Sequence, residues 1–192
     1  MTRILLLAGA AALSLSLAAC GKTAEEKTTE ATAPDANPSM TVPTAADEAA
    51  APDFVGKAGV SDMFEVEAGK IALERSTNPE VKAFAKMMVD MHTKTTADLK
   101  TAIASSGLAI TPPSALPDDK TAMLADLRSV EAKDFDKKYL DGQVDAHQAA
   151  LDLMTRYAQD GDNATLKAAA AATAPIVQEH LTKAKALRDA LK

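Results

Sequence analysis

From residue 53 onward, apolar side chains recur every three to four positions in four long stretches, the spacing of amphipathic helices. A first helix is predicted over about residues 53–76, with Val60, Phe64, Glu67, Ile71 and Glu74 on one face. Two carboxyl groups thus share that face with apolar residues. A second, over residues 79–106, carries the stripe Val81, Ala85, Met88, His92, Thr95, Leu99 and Ala102, flanked by Phe84. Asn78 before Pro79 is a strong start signal, because Asn caps free backbone N–H groups and Pro suits the first helical position. So short a connection folds the two helices into an antiparallel hairpin.

Gly107 ends the second helix, and the next segment, LAITPPSALP, cannot be helical across its three prolines. Residues 118–129, DDKTAMLADLRS, predict a short helix burying Met123, Leu124 and Leu127. The third long helix, about residues 132–159, has the stripe Leu140, Val144, His147, Leu151, Met154 and Ala158, with Phe135, Tyr139 and Tyr157 near its ends. Asp160-Gly161-Asp162-Asn163 reads as a turn. The fourth, residues 164–191, has the stripe Leu166, Ala170, Thr173, Val177, His180, Ala184 and Leu187, and Pro175 is expected to bend it. Hairpin, long crossover, hairpin is an all-α pattern. It predicts a ferritin-like four-helix bundle whose long crossover carries a short extra helix.

Composition agrees with helix packing. The 192 residues are 47% hydrophobic but only 3% aromatic, with no Trp, so the core is built from Ala, Leu, Val, Ile and Met. A net charge of −6 with no basic run excludes a nucleic-acid partner. A single cysteine, Cys20, excludes an internal disulfide or a cysteine-based metal cluster.

Before residue 53 the pattern changes. Met1-Thr2-Arg3 precedes an apolar run from Ile4 to Leu17, too short for a membrane span of about 20 residues but suited to a signal peptide. The run ends in Leu17-Ala18-Ala19-Cys20-Gly21, which resembles the lipobox of bacterial lipoproteins. That resemblance implies a signal peptide over residues 1–19 and a lipid-bearing Cys20. Gly21 after the cysteine implies the outer membrane if the source is Gram-negative. Residues 21–52, rich in Thr, Ala, Glu and Pro, are expected to be a disordered tether. The bundle is assigned to residues 53–192.

All three histidines of the chain lie on predicted core stripes. At 1.5 Å per residue, His92 and His147 each stand about 22 Å from the turn of their own hairpin, near mid-height of helices about 42 Å long. His180, about 27 Å from its turn, falls near the level of Glu67. Glu67, His92, His147 and His180 are therefore a candidate metal set, for iron, zinc or manganese. The alternative is that these imidazoles are structural, satisfied by a carboxyl or hydroxyl across the core. The chain has no Glu-x-x-His, the motif of ferritin-like di-iron sites. Asp90 and Asp145, two positions from a histidine, are expected to face solvent, and Glu65 to be partly exposed. Neutral buried imidazoles would have pKa values below about 6.5. No nucleophile elbow, phosphate loop or His-Glu-x-x-His is present, so no catalytic residue is assigned.

The segments MFEVEAGKIALERS, EVKAFAKMMVDMHTK, FDKKYLDGQVDAH and the final EHL together resemble the bacterial "domain of unknown function 4142" family. The resemblance implies a ferritin-like, secreted or lipid-anchored protein with no assigned activity, and departs at Met91, where a second Asp is expected. The favoured reading is a lipid-anchored cell-envelope protein, a non-enzymatic module meeting other envelope proteins or wall components. The alternative is a metal-binding or redox protein using the Glu/His cluster.

Overall fold

A computed structural model describes residues 49–191; the expected signal peptide, Cys20 and most of the tether lie outside the described residues. It contains five helices and no strand among those residues: α1 (Ala51–Arg75), α2 (Pro79–Ser105), α3 (Asp118–Ser129), α4 (Ala132–Asp160) and α5 (Ala164–Ala190). None of them is long and apolar enough to cross a membrane. The main packing pairs are α1 with α2 and α4 with α5; across the bundle, α1 meets α4 and α2 meets α5.

The hairpin of α1 and α2 turns in three residues. Asn78 accepts from the backbone N–H of Glu80 at 2.9 Å and of Val81 at 3.4 Å, capping α2 as expected. Close packing in this hairpin depends on Gly69. A Cβ there would meet Val89 Cγ2 at 2.8 Å and the Ala85 carbonyl at 3.0 Å, so only glycine lets the two backbones come this near. At the far end, α2 stops at Gly107, whose φ of +74° suits a residue without a side chain.

The crossover is pinned at both ends by contacts distant in sequence. At one end, Asn163 caps α5 and its Nδ2 donates to the Ser106 carbonyl at 3.2 Å. Its neighbour Asp162 accepts from the Ala51 N–H at 3.0 Å, capping α1 from 111 residues away, and from the Tyr157 hydroxyl at 3.0 Å. The turn at 161–163 therefore gathers the start of α1, the end of α2 and the α4–α5 hairpin. At the other end, the Arg75 guanidinium donates to the carbonyls of Leu127, Arg128 and Val130 and lies 4.8 Å over the Phe135 ring. A cation there also suits the negative end of α3. With α1 taken as up, α2 runs down, the crossover climbs back, α4 runs down and α5 up.

In α3, Leu124 and Leu127 are buried but Met123 is 44% exposed, against expectation. In a two-sided apolar triplet only the two leucines reach the core. α5 continues as one helix through Pro175.

The core falls into two apolar clusters. One, near the α1–α2 turn, includes Ile71, Phe84, Met88, Phe135, Tyr139, Leu140 and Leu181. The other, near the α4–α5 turn, includes Phe54, Val55, Tyr157, Leu166 and Ala170, with Phe54 stacked on Tyr157 at 4.0 Å. Between them in every long helix lies a buried polar layer: Asp62 and Glu65, His92, Gln143 and His147, and His180.

Candidate metal centre

Each long helix except α1 sends one imidazole into the polar layer: His92 from α2, His147 from α4 and His180 from α5, each at most 5% exposed. The ring centroids form a nearly regular triangle with sides of 5.6, 5.8 and 5.5 Å. One ring nitrogen from each lies within 4.8 Å of those of the other two.

The outer contacts determine which nitrogens are free. His92 Nδ1 lies 2.8 Å from Asp62 Oδ1, and His147 Nδ1 lies 2.8 Å from the Gln143 carbonyl. A carbonyl only accepts, so Nδ1 of His147 carries the proton and Nε2 keeps its lone pair. The same tautomer suits His92 against the Asp62 carboxylate. Nε2 of both rings, and Nδ1 of His180, are buried and have no hydrogen-bond partner among the described residues. For His92 and His147, a free inner nitrogen with the opposite N–H held by a carboxylate or carbonyl is how metal-ligating histidines are usually fixed.

α1 supplies the outer partner of His92. Asp62 also accepts from Thr95 Oγ1 at 2.8 Å and Thr96 Oγ1 at 3.2 Å. One turn further on, Glu65 is 1% exposed and accepts from Gln143 Nε2 at 2.5 Å. Glu65 Oε1, Gln143 Oε1 and the Tyr139 hydroxyl are buried without partners among the described residues. Gln143 thus joins two layers, its carbonyl to His147 and its amide to Glu65.

Glu67 is not in this set. It is half-buried at the surface and pairs with Lys70 at 2.7 Å. Of the expected face of α1, Phe64 and Ile71 are buried, but Val60, Glu67 and Glu74 are not, and the inward face also runs through Val55, Ala58, Asp62, Glu65, Ala68 and Ala72. Asp62 and Glu65 hold the places given to Glu67, and Glu65 is buried rather than partly exposed. Small residues on either side of those two acids carry the face that meets α2 and α4, and this is the one available sign of it in the sequence. Asp90, as expected, faces solvent and pairs with Lys86 at 2.6 Å; Asp145 is exposed too.

The three imidazoles differ in basicity. Burial pushes His180 down to about 4, helped by the neighbouring His147 and His92 and by Lys183. Burial also lowers His147, with Glu65 pulling the other way. For His92, burial is again the largest single effect, but the hydrogen bond to Asp62 and the charges of Glu65 and Asp62 together outweigh it, and the pKa rises. His92 thus departs from the expectation of three lowered values.

These shifts set how stability depends on pH. His147 and His180, lowered on folding, contribute fully above the unfolded value of about 6.5 and lose that contribution as pH falls toward their folded values. His92, raised, contributes below about 6.5 and loses its share as pH climbs through its folded value. Two lowered groups oppose one raised one. The metal-free protein should melt at a lower temperature at pH 5 than at pH 7, and a profile flat or rising toward pH 5 would contradict these assignments.

Comparisons with known proteins place the chain without supplying a function. No curated protein and no solved structure matches it. Residues 36–187 match the family described as "Domain of unknown function (DUF4142)". That match takes in the polar layer and the helices that share it, and the chain belongs to the DUF4142 family.

Proposed function

We propose that this protein binds one divalent transition-metal ion between His92, His147 and His180. The observation that carries the proposal is that three buried imidazoles each bring a ring nitrogen within 4.8 Å of the other two, in a layer where each ring also has a buried nitrogen without a partner among the described residues. A core that needed only packing would place leucine there, since unsatisfied buried polar groups cost about 1–3 kcal/mol each. Imidazole donors suit zinc and iron, while manganese prefers carboxylate oxygen, so the set favours zinc or iron. Three histidines leave further coordination positions open, as in catalytic rather than structural zinc sites. The up-down-down-up order with one long crossover is that of a ferritin-like bundle. The ligands differ from the carboxylate-rich di-iron pattern: Asp62 and Glu65 sit behind the histidines rather than among them.

The full chain, purified without a His tag and titrated with Zn²⁺ or Co²⁺, should take up one ion per chain. At free metal a thousandfold above Kd, binding stabilises the fold by about 4 kcal/mol, which raises Tm by about 10 °C in a domain of this size. No uptake, or uptake unaffected by removing all three imidazoles, rejects the proposal.

The place of action is the cell envelope, with Cys20 as the lipid-bearing first residue of the processed chain and residues 21–52 as a tether. The lipobox-like Leu17-Ala18-Ala19-Cys20 supports this. Cys20→Ala should move the protein from the membrane fraction to the soluble one; unchanged fractionation rejects the anchor. Metal binding is compatible with a non-enzymatic module meeting other envelope components, and no reaction is assigned.

A further inference from the structure

A cavity of about 370 Å³ opens beside the polar layer, and His92 and His180 are among the residues that line it. Its walls are largely apolar, with Phe54, Met154 and Val177 contributing. It stays hollow because Ala58, Ala150 and Ala169 present only methyl groups to it. The hydroxyls of Thr95 and Thr173, which also line it, are already donating, to Asp62 and to the Ala169 carbonyl. Nε2 of His92 and Nδ1 of His180 remain without partners among the described residues. The one lysine of the lining, Lys94, pairs with Asp98 beside it at 2.5 Å, and both are mostly exposed.

Charge decides what kind of molecule fits. A divalent ion among three neutral imidazoles would be balanced by the carboxylates of Asp62 and Glu65. An anionic ligand would bring uncompensated negative charge into a poorly solvated, apolar space, which is costly. The size is that of ordinary small-molecule sites, apolar walls with a few polar groups at one place.

We infer that this cavity is a binding pocket for a neutral, mostly apolar small molecule with a single nitrogen, sulfur or oxygen donor, the donor filling an open position on the metal held by the three histidines. The inference rests on the metal reading above and adds the class of ligand. Alanines shape the pocket, Ser61, Asp62 and the Lys94–Asp98 pair add polar groups to its lining, and the histidine layer supplies its unpartnered ring nitrogens.

The test uses 4-phenylimidazole, imidazole and benzoate as probes on the Co²⁺-loaded full chain, read by the visible spectrum of the cobalt. 4-Phenylimidazole should bind at least roughly tenfold more tightly than imidazole, because its phenyl group is buried against apolar walls. Benzoate, of similar size but anionic, should leave the spectrum unchanged at the same concentration. Ala169→Leu and Ala172→Phe, at two alanines that line the cavity, should narrow it, bring 4-phenylimidazole down to the level of imidazole and leave cobalt uptake intact. Equal affinities, tight benzoate binding, or 4-phenylimidazole binding indifferent to both variants would overturn the inference. Failure of cobalt uptake would overturn the metal reading and the coordination with it. The pocket itself is then decided on the metal-free chain by saturation-transfer NMR with 4-phenylimidazole. Transfer that disappears in Ala169→Leu supports the pocket, and no transfer overturns it.

Discussion

Replacing His180 with leucine is expected to stabilise the metal-free protein while abolishing its metal uptake. The His180 ring is 5% exposed, and its Nδ1 is buried without a partner among the described residues. Burial pushes its pKa down to about 4, so at neutral pH it is an uncharged polar ring among Val177, Leu181 and Ala184. Leucine would exchange an unsatisfied nitrogen, worth about 1–3 kcal/mol, for apolar contact. At about 2–4 °C per kcal/mol, a melt in excess chelator should shift upward by several degrees. Cobalt titration of the same variant should show affinity lost by more than the roughly 10–100-fold that attends removal of a mere outer partner. The sign of the melting shift separates the two views of the histidines. A structural imidazole with a satisfied role would lower Tm when removed; a ligand retained for function at the expense of stability would raise it.

Asp62→Asn should act in the opposite direction on stability and in the same direction on metal. The Asp62 carboxylate takes three donors, His92 Nδ1, Thr95 Oγ1 and Thr96 Oγ1. An amide offers one acceptor oxygen and turns an N–H₂ toward a donor. His92 Nδ1 and Thr95 Oγ1 share Oδ1 and Thr96 Oγ1 takes Oδ2, so the asparagine oxygen can stay on His92 while its amide faces Thr96, which has a second acceptor in the His92 carbonyl at 2.9 Å. The acceptor of Nδ1 is then neutral rather than charged, so the ring is held less firmly and its Nε2 is a weaker donor to metal. Metal affinity should fall about 10–100-fold, and the metal-free fold should lose about 1–3 kcal/mol. Asp90→Asn removes the same charge from a surface pair with Lys86 and should change neither quantity measurably. Unchanged cobalt affinity in Asp62→Asn would remove Asp62 from the site.

The helices differed in how plainly their buried faces could be read. In α2, α4 and α5 that face carries Val81, Phe84, Met88, Leu140, Val144, Leu166, Val177 and Leu181, so hydrophobic spacing finds it and places all three histidines inside. In α1 the central part of the inward face is Ala58, Asp62, Glu65, Ala68 and Ala72. Small and acidic side chains give no apolar signal, so Val60, Phe64 and Ile71 set the apparent phase; Phe64 and Ile71 are indeed buried, but that phase selects Glu67 in place of Asp62 and Glu65. Polar residues on a closely packed face have the same appearance in a sequence as residues on a solvated one. The turn signal at residues 160–163 and the cap at Asn78 were local and legible. The tie from Asp162 to Ala51 and the clamp of Arg75 on the end of α3 join residues 111 and 52–55 positions apart, which no local pattern records.

Gly69 has no side chain to contribute to any of this, yet it lies two turns from Asp62 on α1, and its contact Val89 lies one turn from His92 on α2. A side chain at position 69 would press on Val89 and on the Ala85 carbonyl, and so push the part of α2 that carries His92 away from Asp62. A methyl group at position 69 would be a change in packing alone, remote from every nitrogen. Its effect would nevertheless be read in proton position, because the ring nitrogen left with a lone pair is chosen by where that carboxylate comes to rest.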